Sequence, residues 1–323
     1  MAEPARVIPI PCPFGPSGMH VYCYYIDAPQ PALIDVGVAG APEACIEPAL
    51  AKAGFKLSDV KWLLASHGHW DHIGGAQTAK DLAADDAQLA LHEADLTLLA
   101  SRQAHLDGYQ GVRFKFIDDP TGFRSHGAMI FENLSGELGA DRALVDGDRI
   151  DLGGGVVLTT VHTPGHSAGS VTFYSDGPGW AYTGDSAQSM GADGRFPLIE
   201  HPAEYRASMT RLLDDVRPTR MHLGHAYGRP GGGRFDAVLD GDIARDMLRE
   251  SREVASGLAS QAEQIAVPTG HEHDPAIFAQ LAGSLGMDPA APATWPNSLF
   301  ITMSGYLRQR GIDLGDAPRH HSH

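Results

Sequence analysis

Three imidazoles and one carboxylate crowd into the six positions His67-Gly68-His69-Trp70-Asp71-His72. A lone histidine is usually a surface or core residue. Four ligand-type side chains in so short a run at a strand end point to a metal site instead. The run 60–65 is short and apolar and predicts a buried strand, and 76–82 predicts a helix after Gly74-Gly75. The cluster therefore sits on a loop at the C-terminal end of a strand. There His67 and His69 can share one centre, while Asp71 and His72 face a second one beside it. Imidazole nitrogen and carboxylate oxygen without thiolate suit zinc, and they also admit iron or manganese.

Three more candidates follow. A predicted strand at 156–161 runs into His162-Thr163-Pro164-Gly165-His166. Another at 180–183 ends on Gly184-Asp185, and a third at 220–223 ends on Gly224-His225. Glycine beside each lets the backbone turn sharply close to a site. His92 closes a predicted strand at 89–92 and reads as structural rather than as a ligand.

The order H-x-H-x-D-H, then H, D and H, resembles the metallo-β-lactamase-fold hydrolases from about residue 21 to about residue 227. The resemblance implies an αββα sandwich with metals at one edge and a C-terminal helical extension. It implies that His67, His69 and His166 bind one metal, that Asp71, His72 and His225 bind another, and that Asp185 bridges them. Asp35, in Leu33-Ile34-Asp35-Val36-Gly37, matches a carboxylate that stands just behind the ligands in that family. Flavodiiron proteins carry glutamate where this chain has His69. Many true β-lactamases lack the bridging aspartate or use a cysteine. The pattern here is closer to the glyoxalase II and lactonase branch.

That branch implies two zinc ions per chain, with iron or manganese admitted. A metal-held hydroxide would attack the carbonyl carbon of a lactone, thioester or ester of a small molecule. Asp71 would help hold the nucleophile, and Tyr227 would reach the developing oxyanion. The alternatives are a β-lactam or phosphoester hydrolase, or a mononuclear-iron sulfur dioxygenase.

The remainder of the chain sets bounds. Its 323 residues are 43% hydrophobic and 20% charged, with a formal net charge of −16. That composition predicts a globular protein, and the charge opposes partnership with nucleic acid or an anionic membrane surface. A homodimer stays open. Cys12, Cys23 and Cys45 give no disulfide framework, and no apolar run has the length of a signal or membrane span, so the expected location is cytoplasmic.

The expected domains are a metallohydrolase unit over 1–230 and a helical C-terminal extension over 231–323 packed near the site. Strands are expected at 21–26 and 32–34, and helices at 43–54, 93–102, 236–265, 275–285 and 298–310. Residues 101–142 show no single period and many glycines, so they read as an irregular segment that covers the metal site. His105, Tyr109 and His126 within it are candidates for substrate contact. The tail 319–323 is rich in histidine and reads as solvated.

Overall fold

The computed structural model describes residues 5–15, 18–192 and 195–315; the tail 319–323 lies outside them. Six strands build a first sheet in chain order: β1 (Arg6–Phe14), β2 (Met19–Asp27), β3 (Ala32–Ile34), β4 (Trp62–Leu64), β5 (Gln88–His92) and β6 (Arg142–Leu144). β1 to β3 pair antiparallel, and β3 to β6 pair parallel. The second sheet holds β7 (Arg149–Asp151), β8 (Val157–His162), β9 (Val171–Ser175), β10 (Trp180–Gly184) and β11 (Arg220–Leu223). A short ribbon follows, β12 (Tyr227–Gly228) with β13 (Arg234–Phe235). Then β14 (Val238–Asp240) returns to pair antiparallel with the outer edge of β11.

The two sheets face each other across one apolar layer. Tyr24, Ile26, Ile34, Leu64 and Ala90 of the first sheet meet Ile150, Leu158, Phe173 and Tyr182 of the second. Tyr24 ties the layers with its hydroxyl, which donates to Leu223 O at 2.6 Å. Helices cover the outer faces: α1 (Glu47–Ala53), α2 (Trp70–Ile73), α3 (Ala76–Leu82), α4 (Leu96–Ala100), α5 (Arg102–His105), α6 (Pro120–Glu132), α7 (Pro202–Arg211), α8 (Gly241–Glu263), α9 (Ala279–Ser284) and α10 (Asn297–Gln309). The αββα layering and the C-terminal helices expected from the sequence are present.

Two segments differ from expectation and one strand was not expected, each for a physical reason. The proline-rich start is a nine-residue strand. Ile10, Cys12 and Phe14 face inward while Pro9, Pro11 and Pro13 alternate outward. Proline cannot donate to a ladder, and β1 tolerates it because it is an edge strand. Residues 101–142, expected to be irregular, are largely helical. Short π and 3₁₀ turns at Leu106–Gln110 and Val112–Lys115 lead into α6, which Asp119 caps by accepting from Gly122 N at 2.8 Å. Such turns do not keep a 3.6-residue period, so no period was legible. Residues 238–240, expected in a helix, form β14, and the helix begins only at Gly241.

α8 buries Ala244, Met247, Leu248, Ser251, Ala255 and Leu258 along one stripe. α10 is buried nearly all round, from Leu299 to Leu307. Its Phe300 is fully buried, with ring centroids 5.5 Å from Phe116 and 5.9 Å from Trp295. The C-terminal helices are thus joined to the 101–132 segment through one aromatic cluster. Phe300→Ala should cost about 3–5 kcal/mol, as expected for emptying such a site. Chemical denaturation monitored by tryptophan fluorescence would read this, and an unchanged midpoint would refute the joint core.

Candidate metal centre

The seven ligand-type side chains singled out in the sequence come together at one edge of the sandwich. β4 ends at Leu64, and the loop after it brings His67 and His69 before α2 presents Asp71 and His72. His166 follows β8, Asp185 follows β10 directly, and His225 lies two residues past β11. Three trios have ligand atoms within 4.8 Å of one another: His67, His69 and His166; His67, His72 and Asp185; Asp71, His72 and His225. His166 Nε2 lies 3.1 Å from His67 Nε2, and His225 Nε2 lies 3.3 Å from both His72 Nε2 and Asp71 Oδ2. Asp185 stands between the groups: Oδ2 is 3.5 Å from His166 Nε2 and 3.4 Å from His225 Nε2, and Oδ1 is 3.3 Å from His72 Nε2.

The outward nitrogen of each imidazole is taken. His72 Nδ1 donates to Asp35 Oδ2 at 2.8 Å, and His225 Nδ1 to His20 O at 2.7 Å. His166 Nδ1 donates to Leu198 O at 2.9 Å, and His69 Nε2 to Glu200 Oε1 at 2.9 Å. Ser66 Oγ donates to Asp35 Oδ2 at 2.8 Å and so accepts from His67 Nδ1 at 3.0 Å. These bonds choose the tautomers and aim five lone pairs inward. Asp35 does this from a left-handed backbone, φ 58°, just after β3.

Sequence reasoning missed Asp95. It is buried, and its carboxylate accepts from Gly68 N at 2.8 Å, Ser167 Oγ at 2.7 Å and Gly169 N at 2.7 Å. One side chain thereby pins the loop of His67 and His69 to the loop of His166. Glu200 was missed as well. No spacing rule connects residue 95 to 169 or residue 69 to 200, so no local signal could have found them.

Of the remaining candidates, Tyr227 is buried with its ring centroid 5.9 Å from His225, and its hydroxyl has no hydrogen-bond partner among the described residues. Tyr109 stacks on His69 at 3.9 Å. His105 instead pairs with Leu98 O, and His126 with Gln110 Oε1. His92 stacks on His162 at 4.0 Å, away from the cluster. A cavity of about 270 Å³ opens onto Asp71 and Asp185, walled by Phe14, Trp70, Tyr109 and Phe196. A larger cavity of about 440 Å³ beside Ile26 and Trp180 carries none of the ligand-type side chains.

Electrostatics separates the two halves. Burial, aided by neighbouring imidazoles, pushes His67 and His69 well below the ordinary histidine range, so both are neutral donors of a lone pair. Burial also opposes charge on His72 and His225. There the carboxylates of Asp185, Asp35 and Asp71 outweigh it: His72 ends well above its usual value, and His225 is pushed up to about 10. The carboxylates thus favour positive charge at this spot, and a divalent cation would supply it in place of protons on those two rings, leaving their inward lone pairs free. Asp185 Oδ1 is buried in the middle of the cluster without a hydrogen-bond partner among the described residues. Inward lone pairs, carboxylates that demand a cation and an orphaned oxygen between them all fit bound metal.

Comparison with known proteins agrees. A model of the metallo-beta-lactamase superfamily matches residues 17–225. The hydroxyacylglutathione hydrolase of Ruegeria pomeroyi is 28% identical over 298 residues, covering 89% of this chain and 94% of the relative. That of Acidiphilium cryptum is 31% identical over 211 residues, covering 64% and 68%. Among solved structures, a metallo-beta-lactamase family protein of Thermus thermophilus shares the fold with a TM-score of 0.67 at 21% identity, covering 94% of each chain. The chain belongs to the metallo-beta-lactamase superfamily and is a hydrolase of it.

Gly224 marks how closely the backbone approaches the cluster. A β-carbon there would lie 2.1 Å from Asp185 Oδ1 and 2.7 Å from His72 Cε1. Gly224→Ala should therefore displace both side chains and weaken metal binding at least about tenfold, the lower end of what a disturbed ligand support costs. Metal competition against a chromophoric chelator would read this, and wild-type affinity would contradict the close packing.

Proposed function

We propose that the chain is a dinuclear metal-dependent hydrolase that cleaves an acyl bond, a thioester, lactone or ester, of a small molecule. The observation that carries this reading is the position of Asp185 between two ligand groups. His67, His69 and His166 would hold one ion, and Asp71, His72 and His225 the other. Zinc suits these donors best, with iron or manganese admitted. When bound, the ions supply an acidified water and polarise a carbonyl oxygen.

The chain's own residues do the rest. Asp71, partly exposed at the cavity, accepts a hydrogen bond from the attacking water and orients it. Tyr227 donates its hydroxyl to the oxygen that gains charge. Burial, then the Asp185 carboxylate, raises its pKa and keeps that hydroxyl protonated. Phe14, Trp70, Tyr109 and Phe196 seat an apolar acyl group and exclude water.

The hydroxyacylglutathione hydrolases among the relatives support a thioester within the substrate class. A net charge of −16 disfavours polyanionic substrates at long range. Three cysteines free of disulfides suit a reducing, cytoplasmic setting. Among the described residues, no helix is long and apolar enough to cross a membrane.

Elemental analysis should find about two metal ions per chain, and chelation should abolish activity. His69→Ala should lose both metal and turnover. On the loaded protein, kcat/KM for an S-acyl thioester and a δ-lactone should exceed that for a β-lactam and for bis-nitrophenyl phosphate. If either of the latter leads tenfold, about 1.4 kcal/mol in the transition state, the acyl assignment is wrong.

A further inference from the structure

The two ligand trios share Asp35, which reaches His72 directly and His67 through Ser66, and differ in their other supports. Behind His72 and His225 stand Asp35, just past β3, and the His20 carbonyl of β2, both from the first sheet. Behind His69 and His166 stand one irregular segment, residues 197–201, and Gln188, whose Nε2 lies 2.5 Å from His166 Nδ1. Its Leu198 carbonyl accepts from His166 Nδ1, and its Glu200 carboxylate from His69 Nε2. His201 N also donates to Gly165 O at 2.9 Å, next to His166.

That segment has no regular structure of its own, so its buried backbone groups need outside partners. α10 supplies them. The Thr302 hydroxyl donates to Pro197 O at 2.8 Å and accepts from Ile199 N at 2.8 Å. A single fully buried side chain thus clamps the residues on either side of Leu198. One helical turn on, Gly305 packs so tightly that a β-carbon would lie 2.6 Å from Glu200 O. Arg308 Nη2 reaches the same carbonyl at 3.5 Å. Gln188 Oε1 completes the frame by accepting from Leu198 N at 3.0 Å.

We propose that Thr302 and Glu200 are positioning residues for His69 and His166, so that the C-terminal helix sets the metal affinity of the His67, His69 and His166 trio through the strap 197–201. The Asp71, His72 and His225 trio, held by the first sheet, does not depend on that strap. This inference rests on reading the seven side chains as metal ligands, but not on any particular substrate.

The test compares Thr302→Val, which keeps the shape and loses the hydroxyl, with Thr302→Ser, which keeps the hydroxyl and loses a methyl. Zinc is withdrawn stepwise by a chromophoric chelator, and cobalt(II) absorption reports the ligand field of each ion. Thr302→Val should weaken one of the two ions by about tenfold or more, in the range typical of lost outer support, and leave the other within about threefold. Thr302→Ser should stay within about threefold of wild type for both. Glu200→Ala should weaken the same ion, and because that side chain is partly exposed, this arm still reads the strap if Thr302→Val loses its fold. The proposal is overturned if Thr302→Val holds both ions as wild type does, if both ions weaken equally, or if valine serves better than serine, which is the signature of packing alone. A wild-type chain that takes up no divalent metal would overturn the hydrolase reading beneath it, and the strap with it.

Discussion

Five imidazoles and two carboxylates can be buried side by side only if each ring's outward nitrogen has a partner. An unpaired polar group in such a place would cost on the order of 1–3 kcal/mol. A ring free to flip would also present the wrong nitrogen. Much of the architecture answers that one constraint. Asp35 reaches His72 directly and His67 through Ser66. The His20 and Leu198 carbonyls take His225 and His166, and Glu200 takes His69. The partners come from a strand, a strand end and an irregular strap, so only the assembled fold can bring them together.

The sandwich makes this assembly simple. β4, β8, β10 and β11 all end at the same edge, and each hands its chain to a loop that carries one or more ligand-type side chains. Loops need anchoring, and Asp95 does it for two of them at once through three hydrogen bonds. Gly224 does the opposite service. It removes a β-carbon where backbone and carboxylate must nearly touch. Rigid strands set the coarse position of the site, and buried carboxylates and glycine set its fine geometry.

How much of this was legible follows from how local each feature is. His67, His69, Asp71 and His72 lie within six residues of one another, and their order is visible before any folding is considered. His166, Asp185 and His225 stand next to glycine after short apolar runs, so strand-end placement could be read for them as well. Asp35 entered through resemblance only, because nothing in its own neighbourhood points at residue 72. Asp95 and Glu200 act across long sequence gaps and carry no motif, so they stayed hidden. β1 was missed because three prolines mask a strand that only an edge position permits. The 101–142 segment was missed as helix because its π and 3₁₀ turns break the period that betrays an amphipathic helix.

The chemistry and the choice of substrate reside in different material. The ligand-type side chains hang from strand ends shared with a large superfamily. Apart from Trp70, the cavity walls named above come from elsewhere: Phe14 from the edge strand, Tyr109 from the helical insertion and Phe196 from the strap region, joined by Pro296 and Asn297 at the start of α10. Membership of the superfamily therefore speaks to the metal-assisted step and says little about what is hydrolysed, since sites are grafted onto folds. In this chain the two materials meet at one place. α10 lines the cavity with its first turn and steadies the strap behind His69 and His166 with Thr302. A change in that helix would reach both the cavity wall and the strap behind His69 and His166, which makes the C-terminal extension part of the candidate site rather than an appendage to it.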